Sequence, residues 1–303
     1  MNDFLLFFNR ILIVVAWIVL YATMIKKSLH MFQQNRYEIR RYWPWLLEHI
    51  QLDVKQSIKW IVIGIVYVCI AFIANASNVI GSLLVVGLTL LLGYLTIQAE
   101  RKINYIKKLN MTSRVKRQVC VMVVLVFVSL YFVISLSWTW IALFTPLMIV
   151  LIWIYVILMA LITMPFESIL KQIYINKAKG ILNQQSRLIK IGITGSYGKT
   201  SSKNILNEIL SEKYYVLSTP ASFNTPMGLT ITIREQLKTI HQVFIAEMGA
   251  DKVGEINFLS KFIRPQYAII TSIGPQHLNT FKTLDNIIRE KMRLIENLPV
   301  SGV

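Results

Sequence analysis

Apolar and polar positions divide this chain into two halves with different periods. Through the first 163 residues apolar side chains come in long runs, approximately Phe4–Ile25, Trp60–Ala76, Val79–Ile97, Val119–Ser137 and Trp138–Thr163. A bilayer core of about 30 Å takes roughly 20 helical residues, and these runs have that length. Any one alone is compatible with a buried core helix; five in succession predict a multi-span α-helical membrane domain. From Leu188 the pattern changes to short β-rich runs alternating with helical ones. It predicts strands over Leu188–Thr194, Tyr214–Ser218, Val243–Met248 and Tyr267–Ser272, with helices over Lys199–Ser211, Met227–Leu237, Val253–Lys261 and Leu284–Leu298. Strands separated by helices imply parallel βαβ units in a doubly wound, mostly parallel sheet. Between the halves, Pro165 is expected to end the fifth span and Glu167 to Gln185 to form a polar helix. The expected domains are therefore a membrane domain over 1–163, a linker over 164–187 and an α/β domain over 188–303.

Composition supports this division. The chain is 55% hydrophobic and carries a net charge of +17. Residues 1–163 hold 15 basic and 5 acidic side chains, against 17 and 10 in residues 164–303. The excess thus lies mostly in the apolar half, and it does not call for a nucleic-acid partner. Lys26, Lys27, Arg36, Arg40, Arg41, Lys55 and Lys59 lie between the first two runs; Arg101, Lys102, Lys107, Lys108, Arg114, Lys116 and Arg117 lie between the third and fourth. The other two connections, Ser77-Asn78 and Ser137-Trp138, are uncharged. The positive-inside rule then places both basic loops in the cytoplasm, the N-terminus outside and everything after Thr163 inside. The expected location is a plasma membrane, with the lipid bilayer as a partner. No small-residue cleavage site follows the first run, so its removal as a signal peptide is not expected. Arg10 inside that run is expected to snorkel to the outer face. Cys69 and Cys120 both lie in apolar runs and offer neither a disulfide framework nor metal-ligand spacing. The aromatic and basic stretch Arg40-Arg41-Tyr42-Trp43-Pro44-Trp45 suits the head-group boundary, with the holding of a lipid-linked substrate as a second possibility.

The chemistry lies at the start of the second half. After the first predicted strand comes Gly195-Ser196-Tyr197-Gly198, and Lys199-Thr200 then opens a helix. Glycines let backbone wrap closely round an anion, and a new helix presents unpaired N–H groups and a positive dipole end. A lysine there reaches the β- and γ-phosphates, and the threonine hydroxyl suits Mg²⁺. The spacing is Gly192-x-x-Gly195-x-x-Gly198-Lys199-Thr200, with Ile193 where the Walker pattern has its first glycine. A glycine-rich turn can precede a helix by chance; strand, turn, Lys-Thr and helix in order point to nucleotide binding. In doubly wound sheets ligands collect beyond the carboxyl ends of the strands. That rule selects Gly195–Thr200, Phe223-Asn224-Thr225, Glu247 and His277 as residues facing one crevice.

The order of these motifs resembles the Mur ligase family of ATP-dependent, amide-forming ligases of peptidoglycan precursor synthesis. The resemblance rests on Gly192 to Thr200, Ser222-Phe223-Asn224-Thr225-Pro226-Met227-Gly228, Ala246-Glu247-Met248-Gly249-Ala250, Gly254-Glu255-Ile256, and Thr271 to Leu278 followed by Phe281 and Lys291. Within the family it is most similar to the branch that adds D-alanyl-D-alanine to a UDP-muramoyl tripeptide, and it covers about the last third of the chain. It implies ATP and Mg²⁺ as cofactors. It implies nucleotide contacts at Gly195, Ser196, Gly198, Lys199, Thr200, Ser201, Asn224 and Thr225. Metal ligands are implied at Thr200, Glu247 and His277, and catalytic roles at Lys199, His277 and Lys291. Taken alone, Glu247 could be a surface glutamate and His277 a structural histidine. Lys291 corresponds to a lysine that relatives carry as a carbamate, with an unmodified surface lysine as the alternative.

The chemistry implied is activation of a carboxylate by ATP, giving an acyl phosphate that an amine attacks through a tetrahedral intermediate. The acceptor is a UDP-linked or lipid-linked muropeptide precursor and the amine an amino acid or dipeptide. Two departures stand out. Membrane spans replace the soluble UDP-sugar domain of familiar relatives, and the chain stops at Val303, where a further strand is expected. A fragment of a longer ligase is therefore the expectation. Alternatives are a ligase of the poly-γ-glutamate synthase type, a subunit amidating lipid-linked muropeptide, and a non-catalytic ATP-binding anchor. The second is disfavoured, since relatives of that kind carry a cysteine-rich zinc insert and both cysteines here lie in apolar runs. A transporter is disfavoured, since no span carries paired charges.

Overall fold

A computed structural model describes residues 2–48, 108–134 and 138–303, with isolated positions between 87 and 101. The chain separates into two compact units, Met1–Glu167 and Ser168–Val303.

The first unit contains α1 (Asn2–Gln34), a helical stretch over 39–48, α2 (Ser113–Ile134) and the first part of α3 (Trp138–Gln184). Arg36 and Tyr37, with φ of 57° and 58°, turn the chain after α1. That turn carries Tyr42 and Leu46 into a core with Phe32, Met122, Trp153 and Val156. Tyr42 stands edge-on to Phe32 at 5.3 Å, so the aromatic stretch expected at the head-group boundary is partly spent on packing. Arg117 meets Glu167 at 2.8 Å, and Arg114 lies over the Tyr37 ring at 4.2 Å. Val124, Phe127, Val128, Tyr131 and Phe132 of α2 are exposed.

Of the five expected spans, Trp60–Ala76 lies outside the described residues, and Val79–Ile97 is described only at isolated positions. The side chain of Arg10 also lies outside them. Phe4–Ile25 falls within α1, Val119–Ser137 overlaps α2, and Trp138–Thr163 opens α3. Among the described residues one helical segment, Ile152–Gln184, is long and apolar enough to cross a membrane. Pro165 does not end that helix, which runs on to Gln184. Proline removes one amide donor and crowds one carbonyl, but its fixed φ is helical, so a helix can continue through it. The expected linker is not a separate element either: Ile175, Ala178 and Leu182 are buried in the core of the second unit.

The second unit is built on β1 (Ile189–Thr194), α4 (Lys199–Ser211), β2 (Val216–Ser218), α5 (Pro226–Gln236), β3 (Val243–Glu247), α6 (Glu255–Ile263), β4 (Tyr267–Ile270), α7 (Leu278–Phe281) and α8 (Leu284–Glu296). The sheet order is β2-β3-β1-β4 and every pairing is parallel, as the strand–helix alternation predicts. Each expected strand and helix exists. The strands are one or two residues shorter than expected: β3 and β4 end early at the carboxyl side, where Met248, Thr271 and Ser272 enter the loops of the site, and β1 and β2 begin late at the amino side.

The β-period decides what faces what. Along β3, Val243 and Ile245 join Ile191 and Ile193 under Leu206 and Leu210 of α4. Phe244 and Ala246 point the other way, into a core with Leu229, Ile233, Ile256, Leu259 and Leu294. Two steps past Ile245, alternation puts Glu247 on the α4 side, at the carboxyl end of the sheet. At the opposite edge Val303 donates to the Gln266 carbonyl and accepts from the Ala268 amide, a parallel-bridge pattern beside β4.

Candidate functional site

The turn after β1 is a glycine cradle. Gly195 has φ of 152°, and a Cβ there would sit 2.1 Å from Thr271 Oγ1 and 3.1 Å from the Ser272 backbone. Gly198 caps α4 in the left-handed region (φ 79°), and no side chain caps the helix. By contrast, Thr225 and Thr283 cap α5 and α8. An uncapped helix start behind close-packed glycine fits a phosphate. The loop is braced from behind. Ser196 N–H donates to Ser272 O (2.7 Å), its hydroxyl donates to Gly274 O (3.0 Å) and accepts from Gly274 N–H (3.0 Å). Ser272 Oγ accepts from Tyr197 N–H (3.0 Å), and Thr271 Oγ1 donates to Tyr197 O (2.6 Å). Ser196, expected to bind cofactor, is thus buried and serves the loop, while Ser201 is exposed on the first turn of α4. Lys199 Nζ donates to Gly195 O (2.8 Å) and Ser196 O (3.1 Å). Burial lowers its pKa, and Glu247 opposes that effect. Gly195→Ala is expected to cost about 1–3 kcal/mol of stability through overpacking. It should also weaken nucleotide binding, which thermal melts and titration with a fluorescent ATP analogue would measure.

Glu247 is the hub of the site. Fully buried, its carboxylate accepts from Thr200 Oγ1 (3.2 and 3.0 Å to the two oxygens) and from Asn224 Nδ2 (3.1 Å), and it pairs with Lys203 Nζ at 3.2 Å. Its amide donates to Thr219 Oγ1. Three elements therefore meet at one anion: α4, the end of β3 that carries it, and the loop on both sides of Ala221. Gly249 lets Asn224 close in, since a Cβ there would lie 2.7 Å from Asn224 Cγ. Thr225, expected to contact phosphate, instead accepts the Gly228 amide as the cap of α5 (3.2 Å). The reason is local: Pro226 fixes the first helical φ, and the preceding threonine is the preferred cap.

Lys291 lies on the buried face of α8, only 2% exposed. Burial first, and the nearby charge of Lys199 second, lower its pKa to about 8 against the opposing effect of Glu290 and Glu255. The neighbouring Glu290 carboxylate, also buried, accepts from Gly254 N–H (2.8 Å) and Ile256 N–H (2.7 Å) and so caps α6. His277, in the left-handed region before α7, has Nε2 3.1 Å from Asp251 Oδ1.

Of the three expected metal ligands, Thr200 and Glu247 stand together and His277 is held by Asp251. Among the described residues no group of three His, Cys, Asp or Glu side chains could hold a metal ion. Carboxylate and hydroxyl oxygens fit Mg²⁺, which takes few protein ligands and keeps waters and phosphate oxygens for the rest. Three residues escape motif reading. Lys203 carries the legible signal of a lysine on the apolar face of α4; Asp251, in the loop before α6, and Glu290, in the middle of α8, carry none.

Residues 193–303 match the Mur ligase middle domain. The UDP-N-acetylmuramoyl-tripeptide–D-alanyl-D-alanine ligase of Treponema pallidum is 38% identical over 116 residues, which are 38% of this chain and 25% of that protein. The Bacillus subtilis ligase of the same name is 34% identical over 113 residues, 37% of this chain and 24% of that protein. A solved structure of the MurF ligase of Thermotoga maritima in complex with ADP is 33% identical, covering 42% of this chain and 30% of that chain with a TM-score of 0.40. The chain spans about a quarter of the length of the curated relatives it matches.

Proposed function

We propose, from the match of residues 193–303 to the Mur ligase middle domain, that this chain is an ATP-dependent carboxylate–amine ligase acting on a peptidoglycan precursor at the cytoplasmic face of a membrane. The observation that carries the reading is the convergence of Lys199, Thr200, Asn224 and Glu247 beside an uncapped helix start. The acceptor is a muropeptide, UDP-linked as in the named relatives or lipid-linked, and the amine is an amino acid or dipeptide.

The residues divide the work. Gly195, Gly198 and the first turn of α4 seat the phosphates, and Lys199 offsets the charge of the γ-phosphoryl as it passes to the acceptor carboxylate. Glu247 and Thr200 would hold magnesium, which when bound would supply further charge compensation for the phosphates. The acyl phosphate then loses phosphate as the amine adds to its carbonyl and a proton leaves. Asp251 orients the His277 ring, the usual arrangement for a histidine that contacts a metal.

Lys291 is the site of carbamate formation in this reading. The ammonium first gives up one proton; the neutral amine then attacks the carbon of CO₂ and a second proton leaves, so that a cation becomes an anion. Only the free amine can do this, and a pKa near 8 makes it abundant at mildly alkaline pH. Below pH 7 the ammonium predominates. Added bicarbonate should therefore stimulate ADP release more at pH 8 than at pH 6.5, and Lys291→Met should remove the stimulation.

The decisive assay is ADP release that requires both acceptor and amine. ATP binding with no acceptor-dependent release would make the chain a nucleotide-binding anchor instead. Membrane attachment is supported by the apolar runs, the basic loops and the exposed apolar face of α2. The chain is expected to stay in the membrane pellet after alkaline carbonate washing; release into the supernatant would refute the spans.

A further inference from the structure

Lys203 is a charged side chain at a position that the helical period reserves for the core. It follows Thr200 by three residues and precedes Leu206 and Leu210, which pack toward the sheet. With 1% of its side chain exposed, its ammonium is costly to bury unless fully partnered. Its partners are Glu247 Oε2, at 3.2 Å, and the carbonyl of Ala221. Ala221 has φ of 44°, a region that a non-glycine residue keeps only when its surroundings hold it there. Three residues on, Asn224 returns to the other oxygen of the same carboxylate.

We propose that Lys203 is a positioning residue: one ammonium ties the Ala221 carbonyl to the Glu247 carboxylate, so that the loop over 219–225 and the metal-binding carboxylate beside Thr200 are set as a single piece. The inference rests on reading this cleft as a Mg-ATP site and adds the link between its phosphate side and the loop over 219–225. Hydrogen bonds from Asn224 to Glu247 and from Gly249 N–H to Asn224 O continue that link across the crevice. Without the ammonium, the buried carboxylate loses its charge partner and the Ala221 turn loses its anchor.

The test uses the full chain in nanodiscs carrying Lys203→Met, a fluorescent ATP analogue and hydrogen exchange. Affinity for the analogue without magnesium should be unchanged. The magnesium concentration that half-maximally tightens binding should rise by about tenfold to a hundredfold. Exchange at the Asn224 and Gly249 amides should quicken while the amides of α8 keep their wild-type rates. In Lys203→Ala, added propylammonium should bring the magnesium midpoint back toward wild type, which a purely space-filling role would not produce. A folded Lys203→Met with a wild-type midpoint, or an alanine variant deaf to propylammonium, would overturn the proposal. If the single variants do not fold, Lys203→Met/Glu247→Gln, which removes both charges, should regain a cooperative melt; a double variant that also shows none would overturn the proposal as well. A wild-type chain that does not bind the analogue would sink the Mg-ATP reading itself, and this inference with it.

Discussion

Lys199→Ala is expected to lower ATP turnover by about two to three orders of magnitude, the loss typical when one preorganised charge-stabilising group is removed from a transition state. Structure should survive the change. Lys199 is only half-buried, and its ammonium donates to carbonyls of its own loop, which Ser272 and Gly274 brace independently. Equal expression and melting with lost turnover would separate chemistry from folding. The variant should also raise the pKa of Lys291, because one of the causes depressing it is the Lys199 charge. Bicarbonate stimulation in any residual activity should then move to higher pH. Undiminished turnover would remove Lys199 from the mechanism.

Glu247→Ala should cost far more stability than Lys199→Ala. The carboxylate is fully buried and compensates the equally buried Lys203. Breaking such a pair from one side leaves an unbalanced charge in the core, a loss of about 3–5 kcal/mol. Thr200 and Asn224 would each lose an acceptor at the same time. Chemical denaturation should show a lower midpoint at unchanged slope, and magnesium should no longer tighten nucleotide binding. Glu247→Gln keeps the shape and some hydrogen bonds, so it should fold better than the alanine variant yet remain insensitive to magnesium. A glutamine variant with wild-type magnesium response would show that the carboxylate is structural.

The α/β unit was legible because period and punctuation agree along it. Strands of β-branched residues alternate with amphipathic helices, and Gly195, Gly198 and Pro226 mark the turns. The cluster of Lys199, Thr200, Asn224 and Glu247 followed from one rule, that ligands gather at the carboxyl ends of parallel strands. Two other roles did not follow, because the rule locates a loop and says nothing of which side chain the loop consumes. Ser196 is spent on Gly274 and Thr225 on capping α5. His277 was singled out by its place after β4, but Asp251, which faces it, lies 26 positions earlier, and only the fold brings them together. Pro165 misled because a proline boundary is a tendency that a continuing helix can override. Lys203 was visible as a breach of amphipathic pattern and invisible to motif matching.

The bracing of the glycine cradle by the loop after β4 has a consequence for how the chain can change over time. Residues 75 to 78 positions apart share hydroxyl, amide and carbonyl partners behind the phosphate seat. Thr271 also sits where any side chain added at Gly195 would collide. Drift at either stretch is therefore policed by the other: Thr271, Ser272 and Gly274 touch the cradle only from its rear, yet they should tolerate replacement as poorly as the glycines in front of them.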